Sequence, residues 1–458
     1  MSLLRFDPGV EESLLRDLVE RGADPVGYQA WRTRAKSTGY CWHPVRLRGS
    51  TRTLAEGSGE LIREFSSSYL SDGVLYKACG QRRATRCEPC SATYRADAFQ
   101  LVLAGLIGGK SVPAEIETHP MVFATLTAPS FGKVHSARSG AVCSGDIRVC
   151  RHGQSLSCRK VHDPEDALLG EPFCQDCFDY EGAVIWNASV GELWRRTMIV
   201  LARRLASMAK VPRERLSDFV EVNHAKVVEY QRRGLIHLHA VIRLDHADFR
   251  DLPPGDPFSS EFLVTALAQA VRTSRCEAPD GFEVCGPIRW GTQVDVAVIG
   301  GESGPQASVV ARYLAKYATK STESSGLLDR PVRAGDLARL QKDLTPHMAR
   351  FVQAAWTLGG REELAALRLR PWAHTLGYRG HWLTKSRRYS TSLSALRAAR
   401  HRWRLSEEGD VEIEGVAVRD WSYAGNNWKN AGDALLVRTA ALDKEASRYA
   451  AWLENRPR

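Results

Sequence analysis

The sequence predicts a mixed α+β protein built around an antiparallel sheet, and three observations carry that reading. Residues 113 to 330 hold β-branched runs of strand length, namely MVFATLTA, DFVEVNHAKVVEY, LIHLHAVIRL and QVDVAVI. Two of these runs flank Arg232-Arg233-Gly234, a turn signal in which glycine can take positive φ, so they read as a hairpin. A helical pattern, ASVVARYLAKYATKS, follows the loop-like Gly300-Gly301-Glu302-Ser303-Gly304-Pro305.

Composition divides the chain into consecutive regions. Residues 1–112 begin with a helical-looking stretch and end in a Cys- and Arg-rich segment, read as a zinc-knuckle and DNA-binding region. Residues 113–330 form the strand-rich domain, with an insert rich in Cys, Gly and His at about 135–180. Residues 331–458 read as mainly helical and basic, with one short strand-like piece, DVEIEGVAV, before a closing amphipathic helix. The 458 residues carry a net charge of +10 and are 43% hydrophobic. That apolar content supports more than one core. The basic balance fits a polyanionic partner, because Lys and Arg laid against phosphates release condensed counterions.

A membrane span is not expected, since no apolar run reaches about 18 residues. The N-terminus MSLLRFDPGVEESLL lacks the apolar core of a signal peptide. The expected location is therefore cytoplasmic. In that reducing compartment the 11 cysteines are expected to bind metal rather than pair.

The hairpin carries the first candidate site. Side chains alternate along a strand, so His237 and His239 share a face. A turn centred near residue 233 sets Glu229 opposite His237 and on that same face. Two imidazoles and a carboxylate can hold a divalent cation and leave positions open for water and a phosphate oxygen. The second candidate is the helix with Tyr313 and Tyr317, one turn apart on one face, with Lys316 and Lys320 on an adjacent stripe. A tyrosine can attack a phosphodiester and keep the phosphate as an ester. With an ordinary pKa near 10 it needs a neighbouring cation and a polarised phosphate to do so.

His237-Leu238-His239, the upstream FATLTAPS at 123–130 and the downstream YLAKYATK at 313–320 come in the order of the three motifs of the HUH endonucleases. Together with CGQRRATRCEPCSATYRAD, HPMVFATLTAPSFGKVH, GAVIWNASVGELWRR and LGYRGHWLTKSRRYS, they make the chain resemble rolling-circle replication initiators of actinomycete conjugative and integrative plasmids. The resemblance runs from about residue 40 to about residue 400. It implies an HUH-type antiparallel sheet flanked by helices, with the histidine pair on a central strand and the tyrosine helix nearby. It further implies that His237 and His239 bind the catalytic Mg²⁺ or Mn²⁺ and that a tyrosine of 313–320 is the nucleophile. In related phage initiators two such tyrosines alternate, and in a related plasmid group the position matching Tyr313 is a water-activating glutamate. Tyr317 is thus the first choice and Tyr313 the second. Thr125 and Thr127 fall in the first motif as strand structure near the site.

Cys87-x-x-Cys90 and Cys174-x-x-Cys177 are zinc knuckles, each needing two partners. Cys79 and Cys41 are the available thiols for the first. For the second, the candidates are Cys143, Cys150, His152, Cys158 and His162, with Cys150 and Cys158 favoured and His162 as the substitute. Cys276 and Cys285 read as ordinary buried thiols. Arg82, Arg83 and Arg86 suit phosphates or guanine edges. Arg379, Lys385, Arg387 and Arg388, interleaved with aromatics, suit phosphates and stacked bases.

The expected activity is a strand-transferring endonuclease acting on plasmid origin DNA, which is recognised as a duplex and cleaved as a single strand. A host helicase is the expected partner, because no Walker-type phosphate loop is present. The rival readings are a transposase or relaxase of the same chemistry, and a non-catalytic zinc-dependent DNA-binding regulator.

Overall fold

The computed structural model describes residues 8–137, 140–282, 286–300, 304–319, 330–407 and 415–454. Their contacts divide the chain into two units: 98–393, and a second unit built from 1–97 with 394–458. This division does not follow the expected boundaries at 112 and 330, because the two ends of the chain pair with each other.

The 98–393 unit is organised on a five-stranded sheet. Its elements, in chain order, are β1 (Met121–Thr127), α1 (Tyr180–Met208), β2 (Val220–Tyr230), β3 (Ile236–His246), α2 (Ser260–Thr273), β4 (Val294–Val298), α3 (Ala307–Ala318), α4 (Pro346–Leu358) and β5 (Leu383–Lys385). The strand order is β5-β2-β3-β1-β4, and every pair is antiparallel.

Alternation along β3 decides the two faces. Ile236, Leu238, Ala240, Ile242 and Leu244 join a core completed by Trp186, Val190, Leu193, Leu201 and Leu205 of α1 and by Leu263, Leu267 and Val271 of α2. Each fully buried aliphatic side chain of this kind contributes roughly 1.5–3 kcal/mol. The helices start where side-chain oxygens satisfy free backbone N–H groups. Asp179 accepts from Gly182 N at α1, Ser259 from Phe262 N at α2 and Thr345 from Met348 N at α4.

The opposite face of β3 is polar. Near its far end Arg243, fully buried, forms a bidentate pair with Asp245 at 2.6 and 2.8 Å. Asp245 also accepts from Asn223 at 2.8 Å and lies 2.8 Å from His119 Nδ1. These partners hold the Asp245 carboxyl down to about 2, against the opposing effect of burial. The buried charges are therefore compensated.

In the other unit, Val45–Leu54 pairs along its whole length with Val416–Asn426 and more briefly with Leu61–Ser66 and Leu75–Lys77. A small core of Trp31, Ala35, Val74, Tyr76, Trp428 and Val437 supports it. The region after 331 is thus less purely helical than expected. It supplies β5 to the central sheet and a long strand at 416–426, the start of which the DVEIEGVAV piece marked. Residues 410–414 of that piece lie outside the described residues. No helix is long and apolar enough to cross a membrane among the described residues.

Candidate functional site

The hairpin turn sets the site. Gln231 N donates to Leu235 O at 2.9 Å and Gly234 N to Gln231 O at 2.9 Å. Gly234 takes φ 79°, and a Cβ there would lie 2.8 Å from the Phe351 ring, so both conformation and space require glycine. Asn187 of α1, fully buried, donates to Gly234 O and Leu376 O and accepts from Ile236 N. The register then pairs Glu229 with His237 and Val227 with His239, as the spacing predicts.

The ligand atoms of Glu229, His237 and His239 lie within 4.8 Å of one another. His239 Nε2 is 3.4 Å from Glu229 Oε2. On the other edge of the ring, His239 Nδ1 is 3.2 Å from Thr125 Oγ1, which β1 places directly opposite. Phe123 stacks on the same imidazole at 6.0 Å. Burial, then the neighbouring His239, lowers His237 to about 4, so its ring is neutral and has a free lone pair at neutral pH. Its Nε2 is buried and has no hydrogen-bond partner among the described residues. An unpaired buried nitrogen beside a second imidazole and a carboxylate fits a divalent cation.

Helix α3 packs on β2 and brings both phenols to this cluster. Tyr313 Oη lies 3.2 Å from His239 Nε2. The Tyr313 and Tyr317 rings are 4.9 and 5.8 Å from the His239 ring and 4.7 Å from each other. Burial raises both phenols above their ordinary value, and the negative charge of Glu229 adds to this. Lys316 is exposed, with Nζ 5.6 Å from the centre of the Tyr317 ring. Lys320 lies outside the described residues, as does Cys285. Cys276 is buried, and burial raises its thiol to about 11, as an ordinary core thiol would be.

Three Cys/His groups could hold further ions. Cys41, Cys79, Cys87 and Cys90 come together, with Sγ–Sγ separations of 3.8 Å for Cys41–Cys87 and 3.6 Å for Cys79–Cys90. The insert holds two groups where one was expected. Cys150, Cys174 and Cys177 gather with His152, whereas Cys158 and His162 gather with His135 and Cys143. The assignment of Cys150 and Cys158 to one site is therefore corrected. Ser144 pairs with Cys158 across an isolated bridge, which carries Cys158 away from Cys150 and toward Cys143.

The expected nucleic-acid contacts differ in availability. Arg82, Arg86, Arg379 and Arg387 are exposed, although Arg82 stacks over Tyr94 and Arg379 donates to Ala366 O. Arg83 is half-buried, with its Nε 3.3 Å from Gln81 Oε1. Arg388 pairs with Glu221 at 2.7 Å. Lys385 is half-buried and its ammonium donates to the carbonyls of Ser386, Arg387 and Ser390, so it serves the backbone rather than a phosphate. Thr125 lies beside the cluster as the strand structure that was expected near the site, Cys143 and His152 were candidates for the second knuckle that were not favoured, and His135 is a possible ligand that the sequence did not single out. The signal for Thr125 was its place in the strand beside His239, and Cys143 and His152 were among the thiols and imidazoles still unassigned.

A polar face of an antiparallel sheet that gathers two imidazoles, a carboxylate and two phenols defines an α+β protein with a candidate metal site, to which Cys/His clusters are added. Residues 27–442 match the family described as RepSA, replication initiator protein, pSAM2, and the chain belongs to that family. A replication initiator protein of Streptomyces ambofaciens is 37% identical over 465 residues, covering 97% of this chain and 96% of the relative. No solved structure matches at a significant level.

Proposed function

We propose that this chain starts rolling-circle replication by nicking origin DNA with a tyrosine nucleophile, on an HUH-type site. The observation that carries the reading is the convergence of Tyr313 and Tyr317 on the Glu229, His237 and His239 cluster, with Tyr313 Oη 3.2 Å from His239 Nε2. His237, His239 and Glu229 would hold Mg²⁺ or Mn²⁺, which when bound polarises a phosphate oxygen.

The Tyr317 phenol oxygen attacks the scissile phosphorus. A tyrosyl O–P bond forms as the P–O3′ bond breaks, the phenolic proton leaves to water, and the departing 3′ oxygen takes a proton to become the 3′-OH primer. The product is a 5′-phosphotyrosine. Tyr313, one helical turn away, accepts the strand in the closing transfer. Lys316, beside the Tyr317 ring, offsets charge on the phenolate or phosphate. Thr125 and Phe123 fix the His239 ring.

Origin DNA is bound by exposed arginines of the Cys79–Cys87 loop and of 379–388, the former beside a structural zinc on Cys41, Cys79, Cys87 and Cys90. Strand separation falls to a host helicase.

The test is incubation with a labelled single-stranded origin oligonucleotide and Mn²⁺ or Mg²⁺. Wild type gives a covalent adduct, and mass spectrometry of the DNA-linked peptide names Tyr317. The absence of an adduct, or an undiminished adduct from the Tyr313→Phe/Tyr317→Phe protein, removes the proposal.

A further inference from the structure

We propose that residues 135–177 hold two zinc ions on interleaved ligand pairs, and that this two-ion module braces the tip of the β2–β3 hairpin. The ligands alternate along the chain. His135 and Cys143 belong to the first group, Cys150 and His152 to the second, Cys158 and His162 to the first again, and Cys174 and Cys177 to the second.

The spacings match tetrahedral zinc. Zn–N bonds of about 2.05 Å and Zn–S bonds of about 2.3 Å set tetrahedral edges of about 3.3 Å for N–N, about 3.6 Å for N–S and about 3.8 Å for S–S. In the first group His135 Nδ1 is 3.3 Å from His162 Nε2. Cys143 Sγ is 3.7 Å from His135 Nδ1, and Cys158 Sγ is 3.5 Å from His162 Nε2. In the second, His152 Nδ1 is 3.2 Å from Cys177 Sγ and 3.5 Å from Cys174 Sγ.

The surroundings of the first group are those of a metal centre. His162 points its other nitrogen, Nδ1, at Asp166 Oδ2, 2.8 Å away, which fixes the ring with Nε2 toward the group. Ser136 N donates to Cys143 Sγ at 3.4 Å. The segment also lacks a core of its own. Among the described residues from 132 to 177, the only buried hydrophobic residues are Cys143 and Cys174. Its few β-bridges are isolated. Metal binding then supplies the folding free energy that apolar burial does not.

The brace runs through Asp166, the residue whose carboxylate orients His162. The backbone oxygen of Asp166 accepts from Arg232 Nη1 at 3.0 Å, and Arg232 Nη2 pairs with Glu165 at 3.3 Å. Gly170, at φ 89°, lies so close to the Arg232 backbone that a Cβ would come within 2.4 Å of it. Arg232 is part of the turn between Glu229 and His237.

The experiment uses the full chain as purified, without DNA. Native mass spectrometry is expected to count three zinc ions, and zinc-edge X-ray absorption to find sulfur and nitrogen ligands at 3:1, from nine thiolates and three imidazoles. Two ions, or an almost pure sulfur shell, overturn the proposal. His135→Phe and His152→Phe are each expected to lower the zinc count, while His381→Phe, outside both groups, keeps three. A full count in either of the first two variants also overturns it. Neither readout depends on nicking, so it stands or falls apart from the proposed activity.

Discussion

Thr125 Oγ1 lies 3.2 Å from His239 Nδ1, on the edge of the ring away from Glu229 and Tyr313. The contact selects which nitrogen faces the candidate metal position. Thr125→Val removes the hydroxyl at nearly constant volume and is expected to weaken Mn²⁺ binding about 10- to 100-fold. Thr125→Ser should keep most of it. Titration calorimetry with Mn²⁺ measures both, and unchanged affinity in the valine variant would contradict an orienting role.

Gly234→Ala should destabilise the hairpin by about 2 kcal/mol or more. Left-handed backbone costs an alanine roughly 1–2 kcal/mol, and the added methyl meets the Phe351 and Leu376 side chains. Thermal unfolding reads this as a lowered midpoint. An unchanged midpoint would mean that the turn relaxes freely.

His347 gives the stability an acid limit. It is fully buried, with Nδ1 2.9 Å from Tyr180 Oη and Nε2 3.1 Å from Arg233 O. Burial lowers it to about 4, whereas an unfolded histidine titrates near 6.5. The unfolded chain therefore binds more protons between these values, and stability falls as pH drops from about 6.5 toward 4, by at most about 3 kcal/mol from this group. Unfolding midpoints measured at pH 7 and pH 4.5 should differ less in His347→Gln than in wild type.

Lys226 acts in the same sense, in a more alkaline window. It is 8% exposed, has no carboxylate partner among the described residues and sits over Trp194. Burial lowers it to about 8. Below that pH it is a buried, uncompensated charge, and stability from this group rises as pH climbs from about 8 toward 10.5. Lys226→Met should therefore stabilise the protein at pH 7 by on the order of 1–3 kcal/mol, with the gain shrinking above pH 8. Denaturant titrations at pH 7 and pH 10 test both the sign and the trend.

The hairpin register and the tyrosine face were legible because each depends on local periodicity. Strand alternation put Glu229, His237 and His239 together, and helical spacing put Tyr313 beside Tyr317. The long pairing of Val45–Leu54 with Val416–Asn426 was not legible, since its partners are separated by most of the chain and neither run announces the other. Nor was the division of the insert's ligands. Knuckle spacing shows which cysteines act as a pair, but the bridge from Ser144 to Cys158 decides which pairs meet. Lys385 shows a further limit, because a cation among aromatics reads the same whether it faces a phosphate or three backbone carbonyls.

The antiparallel partnership of residues 45–54 with 416–426 has a consequence for synthesis. A ribosome completes every residue of 98–393 before it makes the strand that Val45–Leu54 requires. Leu61–Ser66 and Leu75–Lys77 follow it closely, but the edge that takes Val416–Asn426 must wait, unpaired, through the making of the whole middle of the chain. A message broken shortly before codon 416 would still encode the full candidate site, but attached to an N-terminal segment with an open sheet edge.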